Sequence, residues 1–501
     1  MCKNTETSVL RGLTPRTVFA YFDAISRIPR GSGNEKQVSD YVVNLAKQQG
    51  YEVMQDEAWN VIVNIPATKG YEEKKVTILQ AHLDMVCVKD IDSSHDFTKD
   101  ALALYIDGKD IRARGTSLGA DNGIGAAMLL AIMDDNTICH PPLQLVFTTG
   151  EEVLFTGALA LDANLLQGEQ MIGLDCSDSH AIVASCAGIS IHKMEISCGR
   201  ESMLNLDGMK FKKIRVEDLC GGHSGNMIHL GRASAIKVIG NLLTALAEPC
   251  SYALISLECP GAINTISKEA EAIIAYEPNT EETILSVLEG LCTQACEAYR
   301  RTEPNMKIKT EVLPASQLPL HNMTKLRKEA AEKLLCLLDL LPFGVNTLID
   351  GAGSMAESSV NLGSLHMQDE KALIEISIRS NSEYQHDNLA RKLRLIAEVT
   401  GADYQQVNRT ACWEYKYHSM LRERAENIYL RCNGSAPVIK KLHASVEAGV
   451  FVKKRRETGC DLDVINIGVD IKEPHTTREA VDIQSVEKTW DFLLQLLKEV
   501  E

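Results

Sequence analysis

The sequence predicts an α/β protein in which a doubly wound, mostly parallel sheet is interrupted by an inserted α+β domain. Short apolar segments alternate with helical patterns before residue 187 and again after residue 411, as in βαβ units whose strands are buried on both faces. Several of these apolar segments end in His, Asp or Glu. Because open α/β sheets bind ligands beyond the carboxyl ends of their strands, this placement supports the fold class and predicts a site at one sheet edge.

Length and composition limit the classes of protein to which the chain can belong. Its 501 residues exceed what one core supports, so two or three domains are expected. The sequence lacks an apolar run long enough for a membrane span and an apolar secretory signal, so no membrane partner is predicted. The 15 cysteines are scattered without a CxxC pair, which favours reduced thiols and a cytoplasmic location. A net charge of −16 with 5% aromatic residues argues against nucleic acid as a partner.

Residues 1–187 are predicted to form the first segment of a catalytic domain, in which helices and strands alternate. The predicted elements are two amphipathic helices within 14–50, strands at 61–67 and 76–82, a helix at 123–133, and strands at 143–149 and 170–175. The helix at 123–133 is preceded by glycines, and each of the last three strands ends beside a polar cluster.

Residues 188–410 are predicted to be an inserted lid domain. A similar alternation of strands and helices occurs over about 188–306 and again over 307–410, so we predict two ferredoxin-like α+β units related by duplication. Residues 411–501 then complete the catalytic domain, with a helix at 418–432 and the strand DLDVINIG before the last polar cluster.

The polar clusters that follow the predicted strands contain the candidate metal ligands. They are HLD (82–84), GADNG around Asp121, GEE (150–152), GLDCSD around Asp175 and EPHTTRE around His475. Imidazole and carboxylate groups suit borderline or hard divalent ions, so Zn²⁺ is expected first, with Mn²⁺ or Co²⁺ as alternatives. Ligand-type residues at five equivalent positions are hard to explain as independent accidents. Together they predict a hydrolase with two divalent metal ions.

Taken singly, these clusters also fit ordinary structural roles. Asp121 suits the N-cap of the helix that follows it, and His475 suits the surface of a polar loop. Glu151 and Glu152 suit a solvated turn, although two acids that end an apolar strand are costly to bury without a metal or a catalytic role. Adjacent residues cannot face the same point, so one of the two is expected to bind metal while the other accepts a proton from water.

Asp84 and His82 lie two residues apart at a predicted strand end, so their side chains face the same way. A metal-binding His commonly donates its second ring nitrogen to a carboxylate, and Asp84 is placed for such a supporting role.

Three residues of the insertion are candidates for substrate contacts. His223 lies in the glycine-flanked turn CGGHSG, where its alternative role is that of a helix-start histidine. Asn264 and Arg379 fall in strand-like contexts where a polar residue is unusual. Arg379 suits bidentate binding of a substrate carboxylate, and a surface salt bridge is its alternative.

The motifs HLDMV, GADNGIG, GEE, GLDCSD and PHTTRE together resemble those of the two-zinc aminopeptidase–deacylase family, which includes aminoacylases and glutamate carboxypeptidases. The resemblance runs from about residue 14 to the end, and GGHSG, the EAG at 447–449 and DIQSVEKTW are similar to the branch that cleaves aminoacyl-histidine dipeptides. Two departures concern substrate preference: Thr476, Thr477 and Arg478 replace a Ser-Pro-Asp-like stretch, and the His-Ala-Ser at 443–445 replaces His-Ala-Gly.

The resemblance implies how the ligands are shared between two metal ions. His82 and Asp175 would bind one ion, Glu152 and His475 would bind the other, and Asp121 would bridge them.

The same resemblance implies the catalytic roles. Glu151 would be the general base, Asp84 would orient the His82 imidazole, and His223 would stabilise the oxyanion. Asn264 and Arg379 would bind the backbone and the carboxylate of the substrate.

The expected function is metal-dependent hydrolysis of unblocked dipeptides, Xaa-His among them, in the cytoplasm. An N-acyl-amino-acid deacylase or a tripeptidase with the same centre is an alternative, and a non-catalytic peptide-binding protein is an alternative of a different class. The long interval between Asp175 and His475 accommodates a doubled lid and favours the dipeptidase over the deacylase. Glu151 argues against mere binding, because binding has no need of a base. Relatives with a single lid dimerise through it, so a homodimer is expected, with His223 acting in its own chain or across the dimer.

Overall fold

The structure is a computed structural model that describes residues 8–203, 208–314, 317–318, 324–350, 355–368 and 370–500. Its internal contacts divide the chain into two compact units. The first unit contains the residues up to Cys186, Tyr415–Lys441 and the residues from Val446 onward. The second unit contains Ala187–Glu414 and Leu442–Ser445. The domain boundaries predicted from the sequence, at 187/188 and 410/411, stay predictions.

The first unit is built from seven helices and twelve strands among its described residues. Its helices are α1 (Arg16–Ser26), α2 (Lys36–Gln49), α3 (Ala120–Asp134) and the short α4 (Thr156–Ala160). Its strands up to Cys186 are β1 (Glu52–Gln55), β2 (Val61–Ile65), β3 (Thr77–His82), β4 (Leu104–Asp107), β5 (Asp110–Ala113), β6 (Leu143–Thr148), β7 (Gln170–Gly173) and β8 (Ala181–Cys186).

The second unit follows directly in the chain. Its strands are β9 (Gly188–Ser197), β10 (Arg200–Ser202), β11 (Lys210–Glu217), β12 (Gly222–His223), β13 (Ala253–Glu258), β14 (Thr265–Ile266), β15 (Ala270–Tyr276), β16 (Lys307–Leu313), β17 (Thr324–Leu326), β18 (Gly344–Leu348), β19 (Ala356–Gln368), β20 (Lys371–Ser380) and β21 (Asp403–Arg409). Its helices are α5 (Ala235–Ala247), α6 (Glu281–Tyr299), α7 (Lys328–Leu340) and α8 (Glu383–Thr400).

The remaining elements complete the first unit. They are α9 (Met420–Asn433), β22 (Val438–Leu442), α10 (Ala448–Glu457), β23 (Asp463–Asn466), β24 (Ile471–Lys472), β25 (Ala480–Asp482) and α11 (Ile483–Glu499).

An eight-stranded sheet forms the centre of the first unit, in the order β1-β2-β6-β3-β7-β23-β8-β22. The pairs β3–β6, β3–β7 and β7–β23 are parallel, whereas β1–β2, β2–β6 and β8–β23 are antiparallel. The α/β class is therefore confirmed, with a parallel centre and antiparallel flanks. A second sheet, β24-β25-β5-β4, is antiparallel throughout.

Burial explains why the centre of this sheet is parallel. Every residue of β3, β6 and β7 is buried, as expected for strands covered by helices on both faces. Helix α3 buries almost all of its residues, because it is apolar on every side and packs against β3 and α1. Among the described residues, we found no helix with the length and apolar character that a membrane span requires.

The second unit contains two larger sheets with helices between their strands, and two short two-stranded sheets, β10-β17 and β12-β14. The sheet β13-β15-β11-β16 with α5 and α6 has the βαββαβ order of a ferredoxin-like unit. The sheet β18-β19-β20-β9-β21 with α7 and α8 repeats that order, with β18 added at its edge.

The strand pairings correct the predicted arrangement of these two units. Strand β9 precedes the α+β unit of the sheet β13-β15-β11-β16 in the chain and yet pairs with β20 and β21, so this α+β unit is nested inside the other one. Strand β16 pairs with β11, so the predicted boundary at 306/307 separates a strand from its own sheet. The prediction of two consecutive units failed because the repeating strand–helix pattern does not reveal which strands pair.

Candidate metal centre and substrate-binding residues

The carboxyl ends of the parallel strands place the predicted ligands at one edge of the large sheet. His82 is the last residue of β3, Glu151 and Glu152 follow β6, and Asp175 follows β7. Because these strands run parallel in adjacent positions, residues that follow them lie near one another. His475 lies in the loop between β24 and β25 and adopts a left-handed conformation, with φ of 62°.

Two groups of possible ligands meet at Asp121. Donor atoms of His82, Asp121 and Asp175 lie within 4.8 Å of one another, and so do those of Asp121, Glu152 and His475. The His82 Nε2 lies 3.2 Å from Asp121 Oδ1, and the His475 Nε2 lies 3.5 Å from Asp121 Oδ2 and 2.9 Å from Glu152 Oε1. The two oxygens of Asp121 therefore face different groups, as a bridging carboxylate requires.

The charges of this cluster fit a pair of cations. Hydrogen bonds to Asp121 and Glu152 raise the pKa of His475 to about 10, and burial together with the nearby charge of Asp121 raises the pKa of Asp175 to about 7. Burial opposes the charged form of His82, but its contacts with Asp121 and Asp84 raise its pKa well above the usual value. Protons thus compensate the buried negative charge, and divalent cations bound by the same donors would take over that role.

Asp84 lies against His82, one of the predicted ligands. Its Oδ1 lies 3.3 Å from His82 Nδ1, and it accepts hydrogen bonds from the backbone N–H groups of Glu151 and Glu152 at 3.1 and 3.2 Å and from the Ser32 hydroxyl at 2.8 Å. Although burial opposes it, these hydrogen bonds lower the pKa of Asp84. Asp84 therefore stays ionised and links the end of β3 to the turn that carries both glutamates.

Glu151 lies within 4.8 Å of His82 and Glu152, measured between their donor atoms. Burial raises the pKa of its carboxyl group well above the usual value, and the nearby His82 charge opposes this rise. A buried carboxylate of raised basicity beside a cation site suits a proton acceptor.

Glu447 is a further buried carboxyl group in this unit that the sequence reasoning missed. It accepts hydrogen bonds from Gln80 Nε2 at 2.7 Å and from the Thr148 hydroxyl at 2.6 Å, and burial raises its pKa to about 8. It lies in the motif EAG, and nothing in that motif indicates that its side chain contacts β3 and β6.

Asp121 does not serve as the N-cap of α3, which was its structural alternative. Among the described residues, the Asp121 carboxylate accepts no backbone N–H group at the start of this helix, and Asp121 and Asn122 have non-helical backbone angles. The backbone N–H groups of residues 118–121 instead donate to Glu479, which sequence reasoning also missed.

His223 is positioned by its own turn in the second unit. The backbone N–H groups of Gly225 and Asn226 donate to His223 Nδ1, each at 3.2 Å. The proton of the neutral imidazole therefore lies on Nε2, where it can be donated to a substrate oxygen. Burial and the charge of Arg379 lower the pKa of His223, which favours this neutral form.

Arg379 is buried, with 6% of its surface exposed, and its Nε has no hydrogen-bond partner among the described residues. Burial lowers the pKa of the guanidinium to about 10. The surface salt bridge considered as its alternative is therefore wrong. Asn264, in contrast, lies exposed in the turn before β14, so the prediction of a strand context was wrong for this residue.

His443 completes a group of imidazoles near Arg379. Its Nε2 lies 2.7 Å from the Ser359 hydroxyl, and burial together with the charges of Arg379, His229 and His223 lowers its pKa to about 3. His443 begins the His-Ala-Ser stretch noted in the sequence, in which Ser445 is the residue that departs from the family pattern.

Comparison with known proteins gives consistent results. The model of peptidase family M20/M25/M40 matches residues 78–499. The cytosol non-specific dipeptidase of Escherichia coli (strain K12) is 33% identical over 493 residues, which cover 98% of this chain and 99% of that protein. The structure of aminoacylhistidine dipeptidase from Vibrio alginolyticus superimposes with a TM-score of 0.91 at 29% identity, covering 99% of each chain. The aminopeptidase PepT of Bacillus cereus shares the fold, with a TM-score of 0.56 at 15% identity and coverage of 97% and 99%.

Proposed function

This chain belongs to peptidase family M20/M25/M40, and on that premise we propose that it is a metal-dependent dipeptidase that hydrolyses unblocked dipeptides, Xaa-His among them. The observation that carries the proposal is the pair of three-residue donor groups that share Asp121. Such a pair offers each of two divalent ions three protein ligands and leaves room for substrate, as catalytic metal sites do.

We assign the ligands to the two metal ions as the family resemblance implies, and the distances between their donor atoms support this assignment. One ion would be held by His82, Asp121 and Asp175, and the other by Asp121, Glu152 and His475. The donors are imidazole nitrogens and carboxylate oxygens without a thiolate, a set that suits Zn²⁺ and also accepts Mn²⁺ or Co²⁺. Ions bound there supply Lewis-acid polarisation of the scissile carbonyl group.

The residues of the chain itself move the protons. Glu151 accepts a proton from the attacking water and delivers it to the leaving amine of the product. Asp84 fixes the orientation of the His82 ring, since it faces Nδ1 while Nε2 faces the cation site. Because Asp84 also accepts the backbone N–H of Glu151, it couples the position of the base to that of the first ligand.

The second unit supplies the groups that recognise substrate. His223 donates its Nε2 proton to the developing oxyanion, and Arg379 binds the terminal carboxylate of the dipeptide. Asn264 contacts the peptide backbone from its exposed turn. A buried guanidinium that pairs with no carboxylate in the described part of the chain is costly, and a substrate carboxylate would offset that cost.

The proposal extends to location and assembly. The Escherichia coli relative is named a cytosolic dipeptidase, and the scattered cysteines of this chain suit a reducing compartment, so we assign the protein to the cytoplasm. We propose a homodimer as its assembly. Whether His223 acts in its own chain is tested by mixing an inactive His223 variant with an inactive Glu151 variant: regained activity on mixing shows transfer across the dimer.

One substrate comparison tests the proposed function. Protein reconstituted with Zn²⁺ or Mn²⁺ is incubated with Ala-His, N-acetyl-histidine and Ala-Ala-His, and released histidine and dipeptide are quantified by chromatography. Cleavage of Ala-His with N-acetyl-histidine left intact is the expected result. Preference for N-acetyl-histidine would establish a deacylase, and cleavage of the tripeptide alone would establish a tripeptidase. Inactivity on all three with two ions bound would indicate a binding protein.

A further inference from the structure

The turn that carries Asp121 is held by one buried carboxylate. Glu479 is 3% exposed, and its Oε2 accepts the backbone N–H groups of Leu118 and Gly119 at 2.9 and 3.0 Å. Its Oε1 accepts those of Ala120 and Asp121 at 2.9 and 3.4 Å. Four consecutive N–H groups thus converge on a single side chain, an arrangement otherwise found where a protein binds an anion through its backbone.

This contact leaves the side chain of Asp121 available. The N–H groups at the start of a helix need acceptors, and an Asp at such a position usually accepts one through its own carboxylate. Here Glu479 accepts them, so both oxygens of Asp121 remain directed at His82 and His475. Without Glu479, these N–H groups would need another acceptor, and the Asp121 carboxylate belongs to the same turn.

The backbone of the turn has little freedom to adjust. Gly119 has φ of 65°, and a Cβ at this position would lie 2.6 Å from Arg30 Nη2. Arg30 is 2% exposed, and its Nη1 donates to the carbonyl groups of Leu83 and Asp84 at 3.0 and 3.1 Å. The turn is therefore fixed between Arg30 on one side and Glu479 on the other.

Glu479 also belongs to the loop that carries His475. Within this loop the Glu479 N–H donates to the carbonyl of Thr476 at 3.2 Å, and the Thr476 hydroxyl donates to the carbonyl of Glu473 at 2.8 Å. The Arg478 Nε donates to Glu473 Oε2 at 2.6 Å. One residue thus ties the loop of His475 to the turn of Asp121, and these two carry ligands of the same proposed ion.

We propose that Glu479 is a positioning residue that sets the place of Asp121 relative to His82 and His475 and thereby the affinity for both metal ions. The proposal rests on the proposed metal pair. Groups that orient metal ligands typically contribute ~10–100-fold to metal affinity, and Asp121 belongs to both groups, so the loss should affect both ions.

The test compares Zn²⁺ binding by the full-length protein and by Glu479→Gln, measured by competition with a chromophoric chelator. The Gln side chain presents an N–H group to backbone donors and can accept fewer of them. We expect two Zn²⁺ per wild-type chain and a ~10–100-fold weaker affinity for both in the variant. The visible spectrum of the Co²⁺-loaded variant should also change, because it reports the arrangement of the ligands.

A matched control separates positioning from general stability. Glu303 in the second unit is 2% exposed and likewise accepts two backbone N–H groups, those of Cys220 at 2.6 Å and Ala233 at 3.0 Å. Glu303→Gln makes the same chemical change and should lower the melting temperature of the metal-free protein while its Zn²⁺ affinity stays within twofold of wild type.

The outcomes are distinguishable. Wild-type Zn²⁺ affinity and an unchanged Co²⁺ spectrum in Glu479→Gln would overturn the proposal and leave the metal pair intact. Fewer than two Zn²⁺ in the wild type would instead overturn the proposed function. If Glu479→Gln does not fold, Glu479→Asp retains the charge and shortens the reach by one methylene. An affinity more than threefold below wild type then supports the proposal, and one within twofold overturns it.

Discussion

The two units hold polar clusters of opposite character. In the first unit, His82 and His475 face carboxylates, and their pKa values are raised. In the second unit, His223 and His443 are near the guanidinium of Arg379, and their pKa values are lowered by burial and by that charge. The same side chain is therefore held charged in one region and neutral in the other.

This difference indicates what each region binds. The first cluster has an excess of buried carboxylates that protons compensate, so it favours a cation. The second cluster has a buried guanidinium whose Nε lacks a hydrogen-bond partner in the described part of the chain, so it favours an anion. Both preferences fit the proposed dipeptide substrate, which has a carbonyl group to polarise and a carboxylate to bind.

Glu151→Gln tests the first cluster most severely. The amide cannot accept a proton from water, so we expect kcat to fall by ~10²–10⁴-fold with both metal ions retained, as measured by steady-state assays and elemental analysis. Glu152→Gln is the matched control, because it changes a proposed ligand and should lose metal as well as activity. Normal turnover in Glu151→Gln would remove Glu151 from the role of base.

His223→Ala tests whether the second cluster takes part in the chemical step. Loss of an oxyanion donor should lower kcat by ~10²–10³-fold and leave KM and the metal content close to wild type. His229→Ala serves as the control, since it removes a neighbouring imidazole that has no proposed contact with substrate. Equal losses in the two variants would indicate a general disturbance of the cluster rather than an oxyanion contact.

Arg379→Met tests the anion preference of the second cluster. Loss of a charged hydrogen bond of ~1.5–3 kcal/mol should raise KM for Ala-His by ~10–100-fold. Arg379→Lys keeps the charge but lacks the planar guanidinium group, so its KM for Ala-His should lie between those of the wild type and Arg379→Met. The decisive control is the dipeptide amide, which lacks the carboxylate. If the variant and the wild type differ as much on the amide as on Ala-His, the guanidinium does not bind that group.

The sequence predicted the first cluster far better than the second, and the reason is physical. His82, Glu152 and Asp175 end or follow adjacent parallel strands, so a strand pattern read along the chain already brings them to one edge. His223 lies in the two-stranded sheet β12-β14 and Arg379 in β20 of the five-stranded sheet, and only the structure shows that Arg379 is buried. Asn264 shows the same limit, since a polar residue in an apolar run was assigned to a strand and lies in a turn.

The supporting residues were the hardest to predict. Glu479 belongs to the motif PHTTRE, yet its proposed positioning role depends on four backbone N–H groups more than 350 positions away in the chain. Backbone donors have no sequence signature, so a carboxylate that binds them resembles any other acidic loop residue. The nesting of the two α+β units was missed for a related reason, because strand pairing over long separations leaves no local pattern.

The smallest predicted effect is a pH dependence of the free energy of unfolding that arises from two neutral histidines of the second unit. His192 and His386 of the second unit both contact the Ser190 hydroxyl at 2.6 Å, and burial, with the Arg409 charge, lowers the pKa of each to about 4. Their unfolded-state pKa is about 6.5, so the unfolded chain binds more protons below that pH. The stability due to these residues is therefore complete above pH ~6.5 and is lost as the pH falls toward 4, by ~1–3 kcal/mol for each.

Urea unfolding of metal-free protein between pH 7.5 and 4.5 measures this loss. His386→Gln cannot gain the proton, so its free energy of unfolding should fall less steeply over that range than that of the wild type, even though the variant starts from a lower value. The exposed His418, replaced by Gln, is the control and should leave the slope unchanged. An equally steep fall in the free energy of unfolding of His386→Gln would show that acid acts mainly through other groups, such as the carboxylates of the first cluster. The neutral histidines of the second unit would then not contribute to the pH dependence of stability.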